Sequence, residues 1–168
     1  MALLAAAFVL SLGLATAYLA VDDRADAIAV SSGLTDEQAA AEVVGAAKQI
    51  VSVAQLQGVG GGYAFESCRN ADDPPYQIAL YVNFLISDHD SVKYLHDVAA
   101  AMRANGWSDA PSMAEHFGYK LVNNGVTAIF HRDPDNTDVG VMRLYGQCRI
   151  TSDHRHDNPV WTEIRQWG

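Results

Sequence analysis

Five consecutive residues near the C-terminus, Asp153-His154-Arg155-His156-Asp157, form the densest run of potential ligands and proton carriers in the chain. If the segment is extended, His154 and His156 share one face. With a carboxylate from Asp153 or Asp157 they could hold Zn²⁺. A third strong ligand would have to come from elsewhere, with His131 as a candidate. No HExxH motif is present, and neither cysteine stands in a metal-ligand spacing. A solvated polar turn accounts for the same five residues. The expectation is therefore no metal and no cofactor, with a metal-binding protein or metal-dependent hydrolase as the alternative.

Other chemistry-bearing residues are scattered. His89 and His96 stand seven apart on roughly one face with Lys93 and Arg103, as on the exposed side of an amphipathic helix. Ser67 lacks the Gly-x-Ser-x-Gly setting of a nucleophile elbow. Glu66, Asp72 and Asp73 could pair as acid and base, but loop carboxylates are usually solvated. No catalytic residue is assigned. Arg143, Tyr145, Gln147 and Arg149 alternate with Met142, Leu144, Gly146, Cys148 and Ile150, so a strand would place the polar four on its outer face. Those four form a candidate contact patch for a partner; an ordinary solvent-facing strand reads the same way.

The cysteines constrain the compartment. Cys68 and Cys148 are the only two. An even count behind an export-like segment reads as one disulfide, and hence as a domain outside the cytoplasm. Two separate buried thiols are the alternative.

That export-like segment is Met1–Val21, which contains no charged residue. As a helix it would span roughly 30 Å, the thickness of a bilayer core. Its length favours an uncleaved single-pass anchor. A signal peptide cut after Ala15-Thr16-Ala17 is the other reading. The expected organisation is a transmembrane anchor or signal segment over 1–21, a linker over 22–33 and an extracytoplasmic domain over 34–168. The expected partners are the membrane, through the N-terminal helix, and an envelope protein or cell-wall component. The net charge is −9, all of it beyond Val21, which argues against nucleic acid and anionic lipid headgroups.

Local signals then place the elements. Thr35-Asp36-Glu37-Gln38 is a capping box, opening a helix to about Gln57 with Val43, Ala47, Ile50, Val51 and Ala54 on its apolar face. The glycines from Gly58 to Gly62 read as its end, followed by a strand over Tyr63–Cys68. A turn around Asp72-Asp73-Pro74-Pro75 leads to a buried strand over Gln77–Ile86. Asp90 or Ser91 caps a second helix with Val92, Leu95, Val98, Ala99 and Met102 on its buried face, closed by Asn105-Gly106 with Trp107 folding back. Asn124-Gly125 turns a hairpin between Phe117–Asn123 and Val126–Arg132. Val139–Ile150 is a long strand, and Thr151–Gly168 is a polar tail. The fold expected is α+β: a mostly antiparallel sheet of about five strands with two helices packed on one face, preceded by a transmembrane helix.

The order of an apolar N-terminal segment, a helix, Glu66-Ser67-Cys68, Pro74-Pro75-Tyr76-Gln77, a helix ending Asn105-Gly106-Trp107, and a strand ending Gly146-Gln147-Cys148-Arg149 resembles small envelope-anchored domains of mycobacteria and related actinobacteria. Lipoproteins of the LppA type are among them. The likeness covers most of Leu34 to Arg149. It implies an exported envelope domain and carries over no catalytic residue. The chain departs from the lipoproteins in lacking the lipid-attachment cysteine, for which a protein anchor would substitute.

Overall fold

Helix α1 (Asp36–Val53) begins where the sequence supplies a start signal. The Gln38 backbone N–H donates to the Thr35 hydroxyl, and the Thr35 N–H donates to the Gln38 side chain. The end of the helix is thereby satisfied from both sides. Helix α1 stops at Val53 rather than near Gln57, because Gln55 turns to φ +50°. Its buried stripe is Ala39, Ala40, Val43, Ala47 and Ile50. Helix α2 (Ser91–Ala104) is capped by Asp90, whose carboxylate accepts from the Val92 and Lys93 N–H groups. It closes at Asn105-Gly106, and Trp107 folds back to donate its indole N–H to Gln49 of α1 at 3.2 Å. Val92, expected on the buried face, is 75 % exposed. The buried stripe starts one turn later, at Leu95, and runs through Val98, Ala99 and Met102.

The structure, a computed structural model, describes residues 34–69, 73–86, 90–111 and 118–168. Leu34–Gly168 forms one unit. Its described residues form a single sheet of seven strands: β1 (Gln57–Ser67), β2 (Tyr76–Leu85), β3 (Ser108–Asp109), β4 (Tyr119–Asn123), β5 (Val126–Arg132), β6 (Val139–Tyr145) and β7 (Thr162–Glu163). Their order across the sheet is β3-β4-β5-β6-β2-β1-β7, with every neighbouring pair antiparallel. The long central pairing of β2 with β6 is made late in the chain and inserts β6 between two hairpins.

The expectation of about five strands behind a transmembrane helix is therefore corrected. Two short edge strands are added: β3, in the stretch between the second helix and the hairpin where no strand was expected, and β7, in the segment read as a tail. Two-residue edges offer little backbone for another sheet to pair with. Among the described residues no helix is long and apolar enough to cross a membrane. The expected spanning or signal helix of Met1–Val21 and the linker after it lie outside the described residues.

Two strand boundaries also moved. The glycine run belongs to β1, not to a turn: a side chain at Gly61 would place its Cβ 2.0 Å from the Tyr81 carbonyl oxygen. Strand β6 ends at Tyr145 instead of Ile150, leaving one isolated bridge between Ile150 and Tyr76. The hairpin turn forms as its residue types require, with Asn124 at φ +46° and Gly125 at φ +82°.

Register sorts the side chains into two faces. The cross-strand row Tyr63–Leu80–Leu144–Ala128–Leu121 belongs to the covered side, and its last four members are fully buried. They join α1 and α2 residues in one continuous apolar core. Phe84 of β2 stacks on Tyr94 of α2, and Gly146, just past β6, approaches Val43 of α1. Cys68 and Cys148 are joined, with Cα atoms 6.0 Å apart. The bond ties the end of β1 to the chain beyond β6, across the start of β2 at Tyr76, which pairs with Ser67 on one side and Ile150 on the other.

Candidate functional site

One residue along each strand, the row Gly62–Tyr81–Arg143–Ile129–Lys120 lies on the opposite face of the sheet, which neither helix covers. Its centre is Tyr81. The phenol donates to Glu66 Oε1 at 2.6 Å, and the Arg143 guanidinium lies 5.3 Å from the ring centroid. The Trp161 ring is tilted against it at 6.0 Å. Burial first, then the hydrogen bond to Glu66 and its negative charge, push the Tyr81 phenol up to about 12.

Trp161 reaches this face because the tail runs along β1 as β7, with Thr162 opposite Tyr63 and Glu163 opposite Gly62. The indole rests on Gly62. A Cβ there would meet the ring at 2.7 Å and the Thr162 carbonyl oxygen at 2.2 Å. Ala64 and Ala79 continue the small-residue floor in the next row, and Tyr145 stands opposite Ala79. Trp161 remains 42 % exposed. Exposed aromatic surface held in place by the fold is the ordinary material of contact sites.

Arg143 and Tyr145 thus stand on the uncovered face, as strand parity predicts. Gln147 and Arg149 do not continue it. The β6 ladder ends at Tyr145, Gln147 packs against Gly125, and Arg149 turns to the helix side to pair with Glu42 of α1. Parity lapses after Gly146, whose N–H still donates to the Ile78 carbonyl: the Arg149 N–H turns back to the Gln147 carbonyl, so residues 147–149 bulge before Ile150 rejoins Tyr76. Cys148, grouped by parity with the apolar face, is exposed apart from its bond to Cys68.

The His/Asp pentapeptide comes apart. Residues 153–157 are not a strand, so His154 and His156 do not share a face. The His154 side chain is 6 % exposed, stacked on Phe65 at 3.6 Å and edge-on to Tyr76 at 5.2 Å. Its Nδ1 lies 2.8 Å from Asp157, and its Nε2 lies 3.6 Å from Asp36 of α1. His156 is exposed. Asp153 is gripped by the Arg155 fork, which holds its carboxyl well below the usual carboxylate range. His131 lies on β5, three strand spacings from β1 and so about 14 Å away. Among the described residues no three His, Cys, Asp or Glu side chains converge as a metal-ligand set. What His154 does is fasten the tail to β1 and α1.

The remaining candidates have structural partners. The Ser67 hydroxyl donates to the Asp73 carbonyl oxygen at 2.5 Å and accepts from the Arg69 N–H, organising the turn before β2. Glu66 holds Tyr81, and Asp73 is exposed. His96 is exposed beside Asp97, whereas His89 and Asp72 lie outside the described residues. Sequence reasoning missed Trp161, Tyr81 and Glu66 as one cluster. The available signal was the β-prone run Val160-Trp161-Thr162 after the Asn158-Pro159 turn.

With this geometry in hand, the comparisons with known proteins place the chain. A family model described as "Putative lipoprotein LppJ" matches residues 35–167. Proteins of that name from Mycobacterium tuberculosis and Mycobacterium bovis are 47 % identical over 127 residues, covering 74 % of this chain and 66 % of theirs. The chain thus aligns with just under two thirds of the length of these relatives. No solved structure matches it. The likeness to mycobacterial envelope lipoproteins carried by the cysteine pair and the helix ends is borne out, and this chain belongs to the LppJ lipoprotein family.

Proposed function

We propose that this protein is a non-catalytic module of the cell envelope, with its folded domain outside the cytoplasm. It binds a membrane-protein partner or a cell-wall component through the uncovered face of its sheet. The observation that carries this reading is the Trp161–Tyr81–Arg143 layer on a sheet face that neither helix covers. Trp, Tyr and Arg are the residue types that dominate contact energetics. The name of the LppJ relatives supports association with the membrane or envelope. The Cys68–Cys148 bond supports an oxidising compartment. That bond engages both cysteines of these 168 residues, so neither offers a free thiol for a lipid.

Site-specific photo-cross-linking in living mycobacteria tests the reading. A photoreactive residue at Tyr145 should give defined adducts, and one at Val92, exposed on α2, should not. Identical patterns from the two positions, or none from Tyr145, would overturn the assignment of the contact face.

A further inference from the structure

Tyr81 stands between opposite charges. The Arg143 guanidinium lies over its ring, and the Glu66 carboxylate accepts from its hydroxyl. An anionic ligand laid on this ring would meet Glu66, and a cationic one would meet Arg143. The net charge of −9 turns away polyanions in addition. A neutral polyol suffers neither repulsion. Its hydroxyls both donate and accept, so they can satisfy the guanidinium and the carboxylate together. Gln77, opposite Glu66 in the register, adds an amide of the same dual capacity.

The apolar part of the platform has the matching shape. The Trp161 indole packs against Gly62 and the residue stays 42 % exposed, which leaves aromatic surface open to solvent beside the tilted Tyr81 ring. The C–H face of a pyranose ring packs on such a surface while its hydroxyls point to the rim. A protein partner fits less well: glutamate is depleted at protein interfaces, and here the Glu66 carboxylate flanks the central ring. We propose that the Trp161–Tyr81–Arg143–Glu66 platform binds a neutral, hydroxyl-rich saccharide, with one sugar ring on Trp161 and its hydroxyls shared between Arg143 and Glu66. The proposal rests on the uncovered face being the contact surface.

The test titrates the full chain in detergent with neutral hexasaccharides of α-1,4-glucose, β-1,4-glucose and β-1,4-N-acetylglucosamine. The indole N–H signals of Trp107, Trp161 and Trp167 are followed by NMR. At least one sugar should shift the Trp161 signal saturably and leave buried Trp107 unmoved. Trp161→Ala and Arg143→Gln should each weaken binding about tenfold or more, equivalent to about 1.4 kcal/mol. Arg143 is exposed, so Arg143→Gln should keep the melting temperature of the parent chain and report on binding alone. The absence of a saturable Trp161 shift with all three sugars, or affinity indifferent to Arg143→Gln, overturns the saccharide. If Tyr145 cross-links persist in that case, the contact face stands and only the ligand class falls; if they vanish too, both fall.

Discussion

Ile129 and Phe130 are neighbours in β5 and face opposite sides of one sheet. Phe130 lies in the helix-covered core at 0 % exposure, stacked on Tyr119. Ile129 stands opposite Arg143 on the uncovered face and is half-buried. Beyond Tyr63 at its edge the covered row is aliphatic and closed, whereas the uncovered row carries Tyr81, Arg143 and Lys120 beside a glycine. Both faces use the same backbone hydrogen bonds, so the strands themselves do not decide which side is stable and which is available. Side-chain parity and the placement of two helices do. The tail sharpens the contrast, because it holds β1 from both sides: His154 sits against Phe65 on the covered side, and Trp161 lies on Gly62 on the open one.

The largest expected effect separates the two faces directly. Phe130→Ala should destabilise the domain by about 4 kcal/mol through lost burial and a cavity, and Ile129→Ala by about 1 kcal/mol. Equal midpoint shifts in urea denaturation would mean that the uncovered face is covered in solution.

Breaking the Cys68–Cys148 bond comes next. The bond closes a loop of sequence separation 80. Reduction, or Cys68→Ser, should lower stability by about 3 kcal/mol, below the chain-entropy ceiling of about 4.5 kcal/mol. Because the bond clamps the strand ends shared by both faces, the loss should appear as one cooperative transition by near-UV and far-UV circular dichroism. Two separated transitions would show that the faces unfold independently.

Gly62→Ala acts on the open face alone. The new methyl would displace the Thr162 carbonyl and the Trp161 ring, costing about 2 kcal/mol as overpacking does. Trp161 fluorescence should move to the red while Phe130 and its neighbours stay packed. An unchanged emission maximum would show that Trp161 does not rest on this glycine.

The smallest effect is a titration. The Tyr81 phenol is raised to about 12, above the ordinary tyrosine value near 10. Its folded form therefore keeps a proton that the unfolded chain gives up. The stabilisation it contributes is complete below about pH 10 and is lost as pH rises from about 10 to 12. Glu66→Gln removes the negative charge and should bring the phenol down, which ultraviolet difference titration at tyrosinate wavelengths reads. An unmoved titration would separate Glu66 from Tyr81.

Much of the architecture was legible from local signals. Thr35 and Gln38 announced α1, Asp90 and Gly106 bounded α2, and Asn124-Gly125 turned the hairpin. Each of these works through hydrogen bonds or φ angles within a few residues, which local sequence specifies. The even cysteine count pointed to one bond. The candidate site was half legible: Arg143 and Tyr145 follow from alternation along β6, but Arg149 does not, because alternation holds only while the ladder continues. Nothing local to Arg149 signals that the chain bulges between Gly146 and Ile150.

By itself, then, the sequence determined the two helix starts, the stop of α2, the hairpin, the alternation along the strands while they last and the acidity of the folded part. These are properties of short-range geometry and of composition. Only the tertiary structure decided that β6 inserts between β5 and β2, that the tail forms β7, and that His154 is a packed fastener rather than part of a ligand cluster. It also brought Glu66, Tyr81, Arg143 and Trp161, spread over nearly a hundred positions, into one layer. The physical reason is that strand order and face burial are set by long-range packing against α1 and α2. A period-two pattern tells which residues share a face, but not which face the helices will cover.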